Sequence, residues 1–124
     1  MTIVMISCAG LLGTLARYFL SGWIARRYGE TFPTGTLVVN LVGCFAIGLL
    51  YNLFEERFLF PPALRAALMI GLLGGFTTFS SFGLQTFLLL QQNEVWYAAA
   101  NVLLSNLGGI AMVWAGYLLA RAYL

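Results

Sequence analysis

The sequence predicts an all-α membrane protein of four transmembrane helices, the third of them broken near Gly74–Phe82. Three observations carry that prediction. Hydrophobic residues make up 61% of the chain and charged residues only 8%, against about 25% charged in a soluble domain. Four apolar runs, separated by short polar or proline-bearing stretches, each reach the roughly 20 residues that cross a bilayer. The centre of the third run, Gly74-Gly75-Phe76-Thr77-Thr78-Phe79-Ser80-Ser81-Phe82, is built from glycine, threonine and serine, which are poor helix formers. In hydrocarbon an interrupted helix leaves backbone groups unpaired at several kcal/mol each, so a break persists only where it is buried in protein or lines a polar path. That stretch is therefore read as the functional centre.

The 124 residues form one domain, 1–124, and contain no histidine, aspartate or lysine. Most hydrolytic, metal-dependent and proton-shuttling chemistry is thereby removed, and an enzyme is not expected. The net charge of +2 is small and scattered, which excludes a nucleic-acid partner. Cys8 and Cys44 fall inside apolar runs and read as small packing residues. The N-terminus lacks a positive start, and its apolar run continues past Arg17 to Ile24, unlike a signal peptide.

The first span is placed at about 2–25, with Gly10, Gly13 and Arg17 on one face, and Arg26 and Arg27 beyond it. The second, at about 34–54, follows Pro33 and places Thr36, Asn40, Gly43 and Cys44 on one face by helical spacing. Glu55, Glu56 and Arg57 mark the next interface, and Pro61-Pro62 starts the third span, about 63–91. Its excess length suits tilt or a central break. After the polar turn Gln91–Glu94, the fourth span runs over about 95–120, with Asn101, Ser105, Gly108, Gly109 and Gly116 along one face and Trp96, Tyr97 and Tyr123 near its ends. Small residues on all four spans suit close packing in lipid.

Four spans put Arg57, Arg65 and Arg121 on one side of the membrane and Arg26 and Arg27 on the other. This near balance gives almost no positive-inside bias. A chain without preference inserts both ways, and two copies of opposite orientation can pair.

Arg17 is the one charge well inside a span. A mid-membrane charge costs about 2.5–3.5 kcal/mol on insertion scales. It snorkels toward Arg26 and Arg27 or serves the structure, or it forms an electropositive vestibule that draws in anions. Asn40 is either an interhelical hydrogen bond or an N–H donor facing a pore. Thr36, Ser81, Gln85, Asn101 and Ser105 add donors, and Thr78, Ser81 and Gln85 share a face as a polar track. Phe79 and Phe82, three apart, lie close together; their electropositive ring edges suit contact with a bare anion. No carboxylate lies inside any span, although cation pathways and proton-coupled carriers normally need one. The remaining set suits a small, strongly hydrated anion whose water is replaced by donors.

Three motifs, Gly13-Thr14-Leu15-Ala16-Arg17-Tyr18, Pro33 through Gly43, and GLLGGFTTFSSF from Gly71 to Phe82, resemble the Fluc/CrcB family of fluoride channels over the whole chain. That resemblance implies an antiparallel, dual-topology homodimer in the bacterial inner membrane, with two narrow pores passing fluoride passively and relieving fluoride toxicity. It implies that Phe79 and Phe82 line the pores with their ring edges, that Asn40 is the pore asparagine, and that Arg17 is the first-span arginine. It further implies that backbone carbonyls of Gly74 and Thr77 hold a central, structural Na+ where the two broken helices cross. Ser105 fits the hydroxyl-bearing fourth span of the family, and Ser81 supplies a hydroxyl beside Phe82. Asn101 and Gly109 depart from that pattern. The competing readings are a small multidrug-resistance-type carrier, also four-span and dual-topology, and an accessory membrane subunit. The carrier requires a glutamate in the first span, and none occurs between Met1 and Gly29.

Overall fold

The computed structural model describes all 124 residues, and every element is helical. Helix α1 is Thr2–Tyr28. Helix α2 is Thr34–Arg57, whose last turn, Asn52–Arg57, is π-helical. The third membrane-length segment, Pro62–Gln91, consists of α3 (62–76), with a π-turn at Ala67–Leu72, and α4 (Phe79–Gln91). Helix α5 is Val95–Tyr123 and contains a π-turn at Leu104–Gly108. These four segments are long and apolar enough to cross a membrane.

Helix α1 continues beyond its apolar run because Arg26 and Arg27 are good helix formers that also suit the negative end of the helix. Gly29, at φ 82°, stops it. Pro62 opens α3 at its first turn, where proline loses no hydrogen bond. Asn93, at φ 60°, reverses the chain between α4 and α5. Polar side chains near the helix ends bond one another. Arg65 pairs with Glu55, Tyr117 Oη donates to Glu56 Oε1 at 2.8 Å, and Arg57 Nη2 donates to the Arg121 carbonyl at 2.6 Å.

Only 18 of the 124 residues are buried, while Leu11, Phe19, Trp23, Leu84, Ile110 and Trp114 are all more than half exposed. Such a surface is a liability in water and ordinary in lipid. The interior is therefore held less by large side chains than by close backbone approach. Helix α2 packs along the C-terminal half of α5, and α1 packs along α3. A Cβ added at Gly116 would collide with the Phe45 carbonyl, and one at Gly13 with the Leu72 carbonyl. Helix α4 instead packs on the first part of α5. The two halves of the third segment thus have different neighbours, and the chain leaves the helix where the neighbour changes.

Candidate functional site

Helix α3 ends at Phe76. Thr77 (φ −86°, ψ 158°) and Thr78 (φ −148°, ψ 118°) are extended, and α4 begins at Phe79. In a continuous helix the Thr78 N–H would bond the Gly74 carbonyl. Here it donates to Asn40 Oδ1 at 2.8 Å, and Asn40 Nδ2 donates to the Thr78 carbonyl at 3.0 Å. A single amide from α2 thus replaces both the missing acceptor and the missing donor, which meets the demand that apolar surroundings place on unpaired backbone. The Thr77 N–H and hydroxyl both reach the Leu73 carbonyl at 2.9 Å. The Thr78 hydroxyl caps α4 by accepting from the Ser81 N–H at 3.2 Å, and it donates to Ser81 Oγ at 3.1 Å.

Arg17 Nε donates to the Gly75 carbonyl at 3.0 Å. The side chain turns into the protein at the break instead of snorkelling toward Arg26 and Arg27. The reason is local. Gly13 faces the Leu72 carbonyl, and Gly75 comes so near α1 that a Cβ there would lie 2.6 Å from the Gly10 carbonyl. The guanidinium, one turn after Gly13, then stands beside the last carbonyls of α3, where a cation complements the helix end.

A cavity of about 350 Å³ opens at the break. It brings together Asn40, Gly74, Thr77, Phe79 and Ser105, from three separate segments, and no charged side chain lines it. The Phe79 and Phe82 ring centroids are 5.5 Å apart, with ring planes inclined at 44°. The Phe79 ring is 80% exposed on the outside of the single chain. Phe82 and Ser81 adjoin the cavity through Phe79 and Thr78. Thr36 does not line it. It lies with Ser21, Thr34, Gln85 and Gln92 around a second cavity of about 460 Å³, beside the loop after α1. Arg17 lines neither cavity. Of the Thr78–Ser81–Gln85 track, the first two residues bond each other, while Gln85 belongs to the second cavity, its Oε1 inaccessible and unpartnered.

Asn101 is 2% exposed and does not line the first cavity. Its Nδ2 donates to Thr86 Oγ1 at 2.9 Å, and Thr86 Oγ1 donates to the Phe82 carbonyl at 2.8 Å. Thr86 escaped the reading of the sequence. Its only signal there is a hydroxyl four residues after Phe82, and the partner that gives it meaning lies 15 residues further on.

A family model described as CrcB-like protein, Camphor Resistance (CrcB), matches residues 4–117. A protein named fluoride-specific ion channel FluC from Geobacter metallireducens is 50% identical over 98% of this chain and 98% of its own. Proteins of the same name are 49% identical in Solibacter usitatus, over 98% of this chain and 99% of theirs, and 46% identical in Geotalea uraniireducens, over 98% of each. The chain belongs to the CrcB family.

Proposed function

We propose that this chain is a passive, fluoride-selective channel that exports fluoride across the bacterial inner membrane and relieves fluoride toxicity. The observation that carries the reading is the lining of the cavity at the break: an amide, hydroxyls, a phenyl ring and freed backbone, with no carboxylate. The names borne by the relatives support fluoride as the ion. A small anion must exchange its hydration for fixed donors. Asn40, Ser105 and Ser81 supply N–H and O–H groups, and the edges of Phe79 and Phe82 supply positive ring hydrogens. No hydrogen bond occupies the O–H of Ser81, whose oxygen already accepts from Thr78. The N-terminus of α4 adds a positive helix end at the same depth. Thr36 stands in the outer cavity, on the approach, and Arg17 raises the potential of that approach for anions.

The working unit in this reading is an antiparallel homodimer inserted in both orientations, with two pores. Support comes from the near-balanced arginines and from the Phe79 ring, which a single chain leaves uncovered. A structural Na+ belongs to the same reading. The carbonyls of Gly74 and Thr77 fit it, because their i+4 donors bond elsewhere: the Thr78 N–H to Asn40 and the Ser81 N–H to Thr78 Oγ1. Gly74 faces open space, with nothing within 4 Å of where a side chain would begin, which leaves room for a second copy. Bound there, the cation would offset the negative ends of two α3 helices.

Proteoliposomes loaded with fluoride and read by a fluoride electrode test the function. Rapid, uncoupled fluoride release with chloride retained is expected. Dependence on a proton gradient, or equal release of chloride, overturns it. A proton-coupled drug carrier is disfavoured because Glu30, Glu55, Glu56 and Glu94 all stand at segment ends or in loops.

A further inference from the structure

Ser81 and Ser105 both flank the break, but their hydroxyl hydrogens stand differently. Ser105 Oγ donates to Asn101 Oδ1, at 3.4 Å. The Asn101 amide has only one orientation available. Thr86 Oγ1 gives its hydrogen to the Phe82 carbonyl at 2.8 Å, so toward Asn101 it can act only as an acceptor. That fixes Nδ2 on the Thr86 side, at 2.9 Å, and turns Oδ1 toward Ser105. The four groups form a directional relay. Ser105 O–H donates to the Asn101 carbonyl, Asn101 N–H to the Thr86 oxygen, and Thr86 O–H to the Phe82 carbonyl. None of the three acceptors in the relay belongs to a residue lining the cavity that Ser105 lines.

Resting on the fluoride-channel reading, we infer that Asn101 is a positioning residue that competes with the permeating anion for the Ser105 hydrogen. A hydroxyl has one hydrogen. While it lies on Asn101, Ser105 presents lone pairs to the cavity and repels an anion. An arriving anion takes the hydrogen by rotation about the Cβ–Oγ bond, and no covalent bond changes. At 3.4 Å the Ser105–Asn101 bond is long for O–H···O, so it yields readily but still lowers the occupancy of the site. The relay also ties Ser105, on α5, to the backbone of Phe82, on α4. Asn101 itself is 2% exposed and does not line the cavity.

The test is the dependence of initial fluoride efflux on fluoride concentration for the parent, Asn101→Leu, Ser105→Ala and the double variant, in the full-length protein in liposomes. With Ser105 present, Asn101→Leu should lower the half-saturating fluoride concentration about two- to five-fold, up to the weight of one net hydrogen bond. In the Ser105→Ala background the same change should leave half-saturation where it is. Thr86→Val, which keeps the side-chain volume but releases the amide of Asn101, should shift half-saturation the same way and also only with Ser105 present. It serves alone if Asn101→Leu does not fold. A structural role for Asn101 would lower maximal flux alike in both backgrounds without moving half-saturation, and that result overturns the inference. A parent that passes no fluoride removes the channel reading and this inference together. A parent that passes fluoride, with equal or absent shifts in the two backgrounds, removes this inference alone.

Discussion

Helix α2 meets the rest of the molecule in two ways. Its C-terminal half lies against α5 backbone to backbone, with Gly48 facing the Val113 carbonyl and Gly116 of α5 facing the Phe45 carbonyl. No polar side chain bridges the helices at these glycines, where both satisfy their own backbones; polar bonds join them only at the end, from Tyr117 to Glu56 and from Arg57 to the Arg121 carbonyl. At Asn40 the same helix faces backbone that has left the helix, and the contact there is a pair of hydrogen bonds to Thr78. The Asn40 amide marks unpaired backbone, whereas the glycine contacts rest on shape. The first contact maintains the fold, and the second holds open a donor-lined gap.

The largest effect is expected from Gly116→Leu. A side chain against the Phe45 backbone should cost about 3 kcal/mol or more, since neither helix can retreat. Loss of folded protein on gel filtration is expected, and a normal elution profile would show that the glycine contact is loose. Asn40→Leu keeps the volume and removes the clamp. It should destabilise by about 2 kcal/mol, the cost of leaving buried backbone unpaired, and should reduce fluoride efflux by far more than its effect on the folded fraction. Equal losses in both would mean that the clamp serves folding only. Rigorous sodium removal should loosen the proposed dimer without melting the α2–α5 contact, seen as a later elution volume with unchanged helical circular dichroism. No change in elution or activity would argue against cation binding at Gly74 and Thr77. The smallest effect belongs to Arg17→Lys, which keeps the charge and loses the planar Nε donor. About 1 kcal/mol in thermal stability is expected, and an unchanged midpoint would make the bond to the Gly75 carbonyl incidental.

The four spans were legible because charge, Arg17 apart, is sparse within the apolar runs and returns at their ends. Arg26, Glu55 and Glu94 each lie within a few residues of a helix boundary. The π-turns at 52–57, 67–72 and 104–108 were not legible, since one extra residue per turn follows from packing and leaves no mark on composition. At the site, the residue types around Thr77 and Thr78 pointed to weak helix, but not to what replaces the lost bonds. The amide of Asn40 reaches across 38 residues and Arg17 across 58, so neither contact lies within helical spacing. Snorkelling, structural use and a vestibule were all open for Arg17 from sequence; the guanidinium bonds the Gly75 carbonyl at the break and so does not snorkel. Asn101 shares a helical face with Ser105 and so reads as another exposed donor. A hydroxyl on α4, which spacing along α5 cannot reveal, draws it inward.

In the proposed channel the ion passes through the gap beside Asn40 and touches the phenyl edges there. The most direct measurement is initial fluoride efflux from proteoliposomes containing Phe79→Ile or Phe82→Ile, normalised to folded protein. Isoleucine keeps apolar bulk and removes the positive ring edge, so a loss of about ten-fold is predicted, consistent with about 1.4 kcal/mol of lost ion stabilisation. Parent-like fluoride flux from both variants would contradict the claim and move the pathway away from the break.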